Sequence, residues 1–357
     1  MSTKKILVFV EDRAGGIKTF WDNVPRGNAQ VDLLKYRKGP VTGFDRNQRL
    51  FNYSIFDPLI HVYRILREAF PLDDYEVLVT NQTIDTAYLA WVAPELPICF
   101  IVHGNHGDSY DPAIEYRETI DHCFCVSEAG EAYLRPRMPG PVETFAYSTF
   151  IPAEPSPQKK RKVVFVGRFA EDKNIRETLG LFRFLRSRGW EVRMIGEGGM
   201  EAEVRQALAP EEVRVGPARE EIYREMADAS FLCLNSYIEG LPVVYSEAMH
   251  FRMGVILNYV DKSIHGVVGE NYLLMEDPEK LVRKMESFTF QDPPEPRRVN
   301  HPELNRAFLE KIRNVRRNEI PRRSVLPKRA LDQIPWLPSW VIRKFRQKRW
   351  NRARGIA

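Results

Sequence analysis

The chain has 357 residues, of which 43% are hydrophobic and 28% charged, and its formal net charge is +5. This composition is typical of a soluble globular protein and excludes a wholly disordered or fibrous chain. No run approaches the ~20 apolar residues that a membrane helix needs, and the first apolar run, residues 6–10, is too short for the core of a signal peptide. We therefore expect a cytoplasmic protein of two domains, since a domain usually has about 100–200 residues.

Short apolar runs alternate with amphipathic stretches along the whole chain. In the first half, strands are predicted at residues 6–10, 76–80, 98–103 and 123–127, and a helix at 55–70. In the second half, strands are predicted at residues 162–167, 191–196, 213–216, 231–235 and 254–258, with helices at 179–186 and 221–229. This alternation indicates an α/β fold in which helices cover both faces of parallel sheets.

A proline-rich segment divides the chain. Residues 151–162 contain three prolines followed by four basic residues, which predicts a surface linker. The linker would join two Rossmann-like domains, residues 1–150 and 163–296, that face each other across a cleft. Ligands of open parallel sheets bind at the carboxyl ends of the strands, so we expect the functional site in that cleft.

Charge is divided between the body and the C-terminal extension, residues 297–357. The extension has 18 Lys+Arg and 4 Asp+Glu, whereas the rest of the chain has 35 and 44. A basic segment of this kind implies an anionic partner, which is phospholipid, nucleic acid or the acidic body itself.

The four cysteines lie in or beside predicted strands, and their spacing is not that of a zinc site. We therefore predict buried free thiols at Cys99, Cys123, Cys125 and Cys233.

The most informative segment reads NSYIEGLPVVYSEAM and contains Glu239 and Glu247, with seven residues between them. Pro242 fits the first turn of a helix, where its missing N–H costs nothing. Glu239 then lies in the turn before that helix, and Glu247 lies within it. Backbone N–H groups at the start of such a helix suit an anion or a ring of hydroxyl groups.

Two cations, Arg168 and Lys173, follow the strand predicted at residues 162–167 in the segment VGRFAEDKN. Arginine can hold phosphate oxygens in a bidentate manner and lysine acts as a point charge, so the pair predicts a grip for a diphosphate. The next strand ends in IGEGG, where Gly196 begins a tight turn that is by itself a weak nucleotide signal.

The order of these motifs, GRF-x3-K, then IGEGG, then EGLP-x4-EAM, resembles the retaining, metal-independent glycosyltransferases of family four, which have the two-domain GT-B fold. The two glutamates match that family's E-x7-E motif. The first half is similar at AGGI, which contains Gly15 and Gly16, and at IVHGN, which contains His103. The resemblance implies an acceptor domain at residues 1–150 and a nucleotide-sugar donor domain at 163–296.

The resemblance also implies a role for each motif. Arg168 and Lys173 would hold the diphosphate of the donor and stabilise charge as the bond to the sugar breaks. Glu239 and His103 would lie at the transferred sugar. The remaining donor-binding residues would be Glu247 at the ribose, together with Gly15, Gly16, Gly240, Leu241 and Gly196. No metal and no other cofactor would take part.

The implied activity is that of a retaining, hexosyl-type glycosyltransferase acting on a glycan or lipid-linked acceptor in bacterial polysaccharide or lipopolysaccharide synthesis. Two alternatives stay open. One is a catalytically silent, membrane-associated binding protein on the same fold, because Arg252 stands where the family usually has glycine and Trp21 is atypical of the glycine loop. The other is a different enzyme on the same fold, such as a nucleotide-sugar epimerase or a phosphorylase.

The end of the basic extension has two possible roles. Leu337, Val341 and Phe345 recur at helical spacing beside Trp336, in a segment rich in lysine and arginine up to Arg354. Such a helix could lie on an anionic bilayer at the inner face of the plasma membrane. It could also be the helix with which GT-B chains cross back onto their first domain. No nucleic-acid-binding module is recognised, so we expect no nucleic-acid partner.

Overall fold

The computed structural model describes residues 5–12, 16–25, 28, 30–104, 107–237, 239, 242–258, 271–292 and 299–319. Within these residues, the first domain is built on an eight-stranded sheet in the order β3-β4-β2-β1-β5-β6-β7-β8. Its strand pairs are parallel except for β3 with β4. The strands are β1 (Lys5–Glu11), β2 (Val31–Lys38), β3 (Gly43–Asp45), β4 (Leu50–Tyr53), β5 (Tyr75–Thr80), β6 (Ile98–Val102), β7 (His122–Cys125) and β8 (Val142–Thr144).

Helices connect these strands. They are α1 (Gly16–Asn23), α2 (Leu59–Ala69), α3 (Thr83–Val92), α4 (Gly107–Glu115) and α5 (Glu128–Leu134). The strands β2, β3, β4 and β8 have no counterpart in the sequence prediction. They lie toward the two edges of the sheet. β2 is largely polar and half exposed, so the sequence contains no apolar run that would predict this strand.

The described part of the second domain contains a six-stranded parallel sheet in the order β11-β10-β9-β12-β13-β14. Its strands are β9 (Lys160–Val166), β10 (Glu191–Gly196), β11 (Val213–Val215), β12 (Ala229–Leu234), β13 (Gly254–Leu257) and β14 (Tyr272–Leu274). Its helices are α6 (Ile175–Ser187), α7 (Glu201–Ala207), α8 (Arg219–Ala227), α9 (Val243–His250) and α10 (Pro278–Glu286). Two Rossmann-like α/β domains confirm the predicted fold class.

The second sheet begins inside the segment that we expected to be linker. Lys160 is the first residue of β9, so only residues 151–159 lie outside regular structure. Lys162 is 3% exposed, and its ammonium group lies 2.6 Å from Glu225 and 2.9 Å from Asp228, which offsets the cost of burying its charge. Asp228 also pairs with Lys160, and Glu286 pairs with Arg161, so the basic run that had suggested a solvated linker can continue as a strand.

A last described helix, α11 (Pro302–Arg313), returns to the first domain. The Phe308 ring stacks on Phe145 with ring centroids 4.0 Å apart. Asn305 exchanges two hydrogen bonds with the main chain of Ser148. The crossover to the first domain is therefore made by residues 302–313, whereas the segment from Trp336 to Arg354 lies outside the described residues.

The two domains share buried apolar contacts. One core cluster includes Phe20 and Trp21 of α1, Ala248 and Met249 of α9, and Phe308 of α11. The four cysteines are buried and free, as predicted. Among the described helices, none is both long and apolar enough to cross a bilayer.

Candidate functional site

The two predicted cations lie at the carboxyl end of β9, and each already has an acidic partner. Arg168 Nη2 lies 2.7 Å from Asp172 Oδ2. Lys173 Nζ lies 2.5 Å from Glu239 Oε1. The Lys173 side chain is only 17% exposed, less than we expected for a residue of an open cleft, because the Glu239 carboxylate covers it. The structure therefore brings Arg168, Lys173 and Glu239 together, with both positive charges balanced.

The loop that carries Glu239 is tied to the turn that carries Lys173. The Tyr237 main-chain N–H donates to Asp172 O at 3.1 Å, and the Tyr237 hydroxyl donates to Asn174 Oδ1 at 3.0 Å. Asn174 has a left-handed backbone, with φ 52°, between a 3-10 turn and α6. These bonds join segments that are more than 60 residues apart in the chain. Gly240 and Leu241, which follow Glu239, lie outside the described residues.

Glu247 lies on α9 and is almost completely buried, with 1% of its side chain exposed. Its Oε1 forms an ion pair with Arg219 Nη2 at 3.1 Å. Burial raises the pKa of the Glu247 carboxyl, while the Arg219 charge and a hydrogen bond from the Tyr223 hydroxyl oppose that rise. Pro242 is the residue before the helix rather than a member of its first turn. Sequence reasoning missed Arg219 and Tyr223, because nothing in a helix start such as ARE indicates a distant acidic partner.

Gly196 ends β10 at a point where two strand ends approach each other closely. Its φ is 153°, and a Cβ there would lie 1.8 Å from the carbonyl oxygen of Gly167. A side chain would therefore push β10 away from the end of β9. This packing explains why glycine is required, and the predicted contact of Gly196 with a donor stays a prediction.

His103 directly follows β6 and contacts two side chains of the first domain. Its Nε2 lies 2.8 Å from Asn81 Oδ1, which also accepts a hydrogen bond from Trp21 Nε1 at 2.8 Å. The Phe20 ring meets the imidazole edge-on, with ring centroids 5.0 Å apart. Burial lowers the pKa of His103 to about 3, so the imidazole is neutral near pH 7. Sequence reasoning identified His103 but missed Asn81.

The atypical residues of the glycine loop have a structural explanation in α1. Trp21 is fully buried and holds Asn81, which accounts for its presence where a small residue is usual. Gly16 is the first residue of α1, and a Cβ added there would meet nothing within 4 Å. Gly15 lies outside the described residues.

Arg252, the other departure, follows α9 with a left-handed φ of 54°. Glycine is favoured at such a helix end because it adopts this conformation without strain. The Arg252 guanidinium lies 2.9 Å from Asp292 Oδ1 and stacks over Phe290. Its charge is thus neutralised by residues outside the site.

The arrangement of two facing Rossmann-like domains is the GT-B fold. The chain is similar to HepE from Anabaena in complex with UDP and glucose, at a TM-score of 0.67 and 12% identity over 87% of this chain and all of that one. It is also similar to sucrose-phosphate synthase from Thermosynechococcus elongatus, at a TM-score of 0.60 and 14% identity over 98% of this chain and 99% of that one. These similarities establish the fold.

A family similarity is found in the second domain. Residues 160–289 match the family model described as glycosyl transferases group 1. The match contains Arg168, Lys173, Gly196, Glu239 and Glu247. A curated relative, the amylovoran biosynthesis glycosyltransferase AmsD of Erwinia amylovora, is 26% identical over 106 residues. That alignment covers 28% of this chain and spans less than a third of the relative's length, 29%.

Proposed function

We propose that the protein is a retaining, hexosyl-type glycosyltransferase. It moves a sugar from a nucleotide-sugar donor to a glycan or lipid-linked acceptor, in the synthesis of a bacterial polysaccharide or lipopolysaccharide. The observation that carries this proposal is the meeting of Arg168, Lys173 and Glu239 at the carboxyl end of the second sheet, inside the segment that matches group 1. A relative named for amylovoran biosynthesis and a structural neighbour bound to UDP and glucose support the same chemistry.

The donor diphosphate would exchange places with two carboxylates. Arg168 leaves Asp172 and Lys173 leaves Glu239, and both cations then contact phosphate oxygens. Their positive charge stabilises the nucleoside diphosphate as its bond to the sugar breaks. Once Lys173 has moved, the Glu239 carboxylate is available to accept hydrogen bonds from hydroxyl groups of the sugar.

The ribose would bind at Glu247. A carboxylate that is 1% exposed needs hydrogen-bond donors. The Tyr223 hydroxyl provides one, whereas Arg219 contributes its charge and Glu247 Oε1 has no hydrogen-bond partner among the described residues. Ribose hydroxyl groups are donors of the same kind. The Arg219 side chain as a whole is 33% exposed, although its Nη2 atom is buried against Glu247, so the side chain can turn outward when the nucleoside enters.

The reaction would keep the anomeric configuration because transfer occurs on one face of the sugar. The leaving phosphate takes the proton of the acceptor hydroxyl, so no separate base is required. His103 fits this scheme, since an imidazole with a pKa of about 3 does not donate a proton near pH 7. The two cations supply the charge stabilisation, and catalysis would be independent of metal ions.

The experiment is to incubate the full chain with UDP-, GDP- and ADP-sugars in excess EDTA and to measure release of the nucleoside diphosphate. NMR of the sugar product would report its anomeric configuration. We expect release with one class of donor, with retention, and loss of release in Arg168→Ala. Inverted product contradicts retention, and complete loss in EDTA that magnesium or manganese restores contradicts the metal-independent mechanism.

The same experiment distinguishes the alternatives. A silent binding protein would be stabilised by a nucleoside diphosphate but would release none from any donor. At a ligand concentration 100 times the dissociation constant, its free energy of unfolding would rise by about 2.7 kcal/mol. The Arg252 departure that suggested this alternative no longer favours it, because Arg252 pairs with Asp292. An epimerase would convert the nucleotide sugar without releasing the diphosphate.

A peripheral contact with membrane is a separate part of the proposal. Because α11 already makes the crossover to the first domain, we propose that the segment from Trp336 to Arg354 binds the anionic inner face of the plasma membrane. Ending the chain at Pro335 removes seven Lys+Arg, each worth about 1 kcal/mol near an anionic surface. The truncated protein should lose salt-sensitive binding to phosphatidylglycerol vesicles and keep its melting temperature. Full-length protein that ignores these vesicles at low salt contradicts the proposal.

A further inference from the structure

Asn81 is a buried amide at the carboxyl end of β5, and its side chain contacts three other elements of the first domain. Nδ2 donates to the Phe9 carbonyl oxygen of β1 at 2.7 Å. Oδ1 receives Trp21 Nε1 of α1 at 2.8 Å and lies 2.8 Å from His103 Nε2. Only 7% of the residue is exposed. Asn81 is thus held by the main chain on one side and faces His103 on the other.

The direction of each hydrogen bond follows from the chemistry of the partners. A carbonyl oxygen only accepts, so the group of Asn81 that faces Phe9 must be its NH₂ group. An indole N–H only donates, so the group that faces Trp21 must be the amide oxygen. The same oxygen faces His103. The imidazole must therefore donate through Nε2–H.

This donation determines what His103 can offer to a ligand. A neutral imidazole carries one proton, so when Nε2 holds it, Nδ1 has a free lone pair and accepts hydrogen bonds. Among the described residues no partner reaches Nδ1, and the side chain is partly exposed. His103 contacts Phe20 of α1, and α1 in turn contacts α9, the helix that carries Glu247.

We infer that Asn81 is a positioning residue that holds His103 as the Nε2–H tautomer, so that Nδ1 accepts a hydrogen bond from a hydroxyl group of the transferred sugar. The sugar-binding part rests on the proposed function, whereas the tautomer does not. Trp21 occupies the second acceptor position of Asn81 Oδ1. The Phe9 carbonyl oxygen, which can only accept, fixes the orientation of the amide. The site would therefore select sugars with a hydroxyl group at the position that meets Nδ1.

The first test is spectroscopic and uses the full chain without any donor. Long-range ¹H–¹⁵N correlation spectra of protein labelled at histidine report which ring nitrogen carries the proton. We expect Nε2–H for His103 in the wild type and in Trp21→Phe, the matched control that removes the other donor to Asn81. We expect a mixture of tautomers in Asn81→Ala. A proton on Nδ1 in the wild type overturns the inference, as does an unchanged tautomer in Asn81→Ala.

The second test uses donor analogues that each lack one hydroxyl group of the sugar. One analogue should lose about three- to tenfold in kcat/KM with the wild type, the range expected for one neutral hydrogen bond. That discrimination should shrink toward onefold in Asn81→Ala and in His103→Ala. If every analogue is discriminated equally by all three proteins, the sugar contact is wrong even when turnover confirms the glycosyltransferase. If no donor turns over, the proposed function fails, and the sugar contact fails with it, while the spectra still decide the tautomer.

Discussion

The two domains contribute opposite kinds of side chain to the candidate site. In the first domain, His103 and Asn81 are neutral and hydrogen-bonded within the protein. In the second domain, Arg168 and Lys173 are charged and paired with carboxylates. The hydrogen bond between Asn81 and His103 is formed within the protein, whereas the carboxylates that pair with Arg168 and Lys173 can be replaced by a ligand.

The energies of the two kinds of contact explain this difference. The pair of Arg168 with Asp172 is exposed, and such a pair contributes about 0.2–1 kcal/mol, so a diphosphate can displace Asp172 at little cost. The pair of Lys173 with Glu239 is mostly buried, so its exchange requires the ligand to supply a new partner to both groups. A buried polar group that loses its partner costs about 1–3 kcal/mol, so the contact between Asn81 and His103 is expected to persist throughout the reaction. The first domain would therefore orient the sugar, and the second would bind and release the nucleotide.

The largest expected effect comes from removing a cation of the second domain. Arg168→Ala or Lys173→Ala should lower turnover by about a hundredfold, the effect of losing one charge-stabilising group. Arg176→Ala is the matched control, because Arg176 is exposed near the same turn and pairs with Glu171 and Glu203. Near-normal turnover in both Arg168→Ala and Lys173→Ala contradicts the assignment of these two residues to diphosphate binding.

The pH dependence of the free energy of unfolding tests whether His103 of the first domain is neutral in the folded protein. The folded pKa of His103, about 3, is below its ordinary value of 6.5, so protonation favours the unfolded chain. The stabilisation by the neutral ring is complete above pH 6.5 and is lost as the pH falls toward 3. Between pH 6.5 and 5 the wild type should lose about 2 kcal/mol relative to His103→Gln. Calorimetry at both pH values checks this, and parallel curves for the two proteins contradict a His103 that stays neutral in the folded protein.

A smaller effect is expected from the acidic partner of Arg168. Asp172→Asn should tighten binding of a nucleoside diphosphate about two- to fivefold, because the ligand no longer competes with an exposed carboxylate. Glu171→Gln is the control. It removes the neighbouring negative charge, but Glu171 pairs with Arg176 and not with Arg168. Calorimetric titration measures both. Equal affinities in the two variants would show that Asp172 does not compete with the ligand.

The smallest effect is expected at Arg252. Arg252→Gly relieves a left-handed backbone but removes the ion pair with Asp292, so the free energy of unfolding should change by less than about 1 kcal/mol. The KM for the donor should be unchanged, because Arg252 pairs with Asp292, stacks over Phe290 and, among the described residues, pairs with none of the site. A large rise in KM would show that the departure from glycine does shape the donor site.

Prediction from sequence was most accurate where local signals are strong. The strand predicted at residues 191–196 is β10, Glu191–Gly196, because a buried central strand carries its own apolar pattern and ends in glycine. The half-exposed β2 was missed, because it depends on pairing with β1 and β4 rather than on its own apolar side chains. Near the C-terminus, the extension from residue 297 to 357 was expected to supply a crossover helix, with its tryptophan-rich end as one candidate, and α11 of the same extension contacts the first domain.

The alternation of strands and helices, the two domains and the positions of the two cations after β9 can be read from the amino-acid order alone. These features depend on residues that are close together in the chain. In contrast, the contacts of Glu239 with Lys173, of Arg219 with Glu247 and of Asn81 with His103 arise only when the chain is folded. Ion pairs and hydrogen bonds form between whichever groups the fold brings within about 3 Å, and that proximity is a property of the packed domains, which no local spacing encodes.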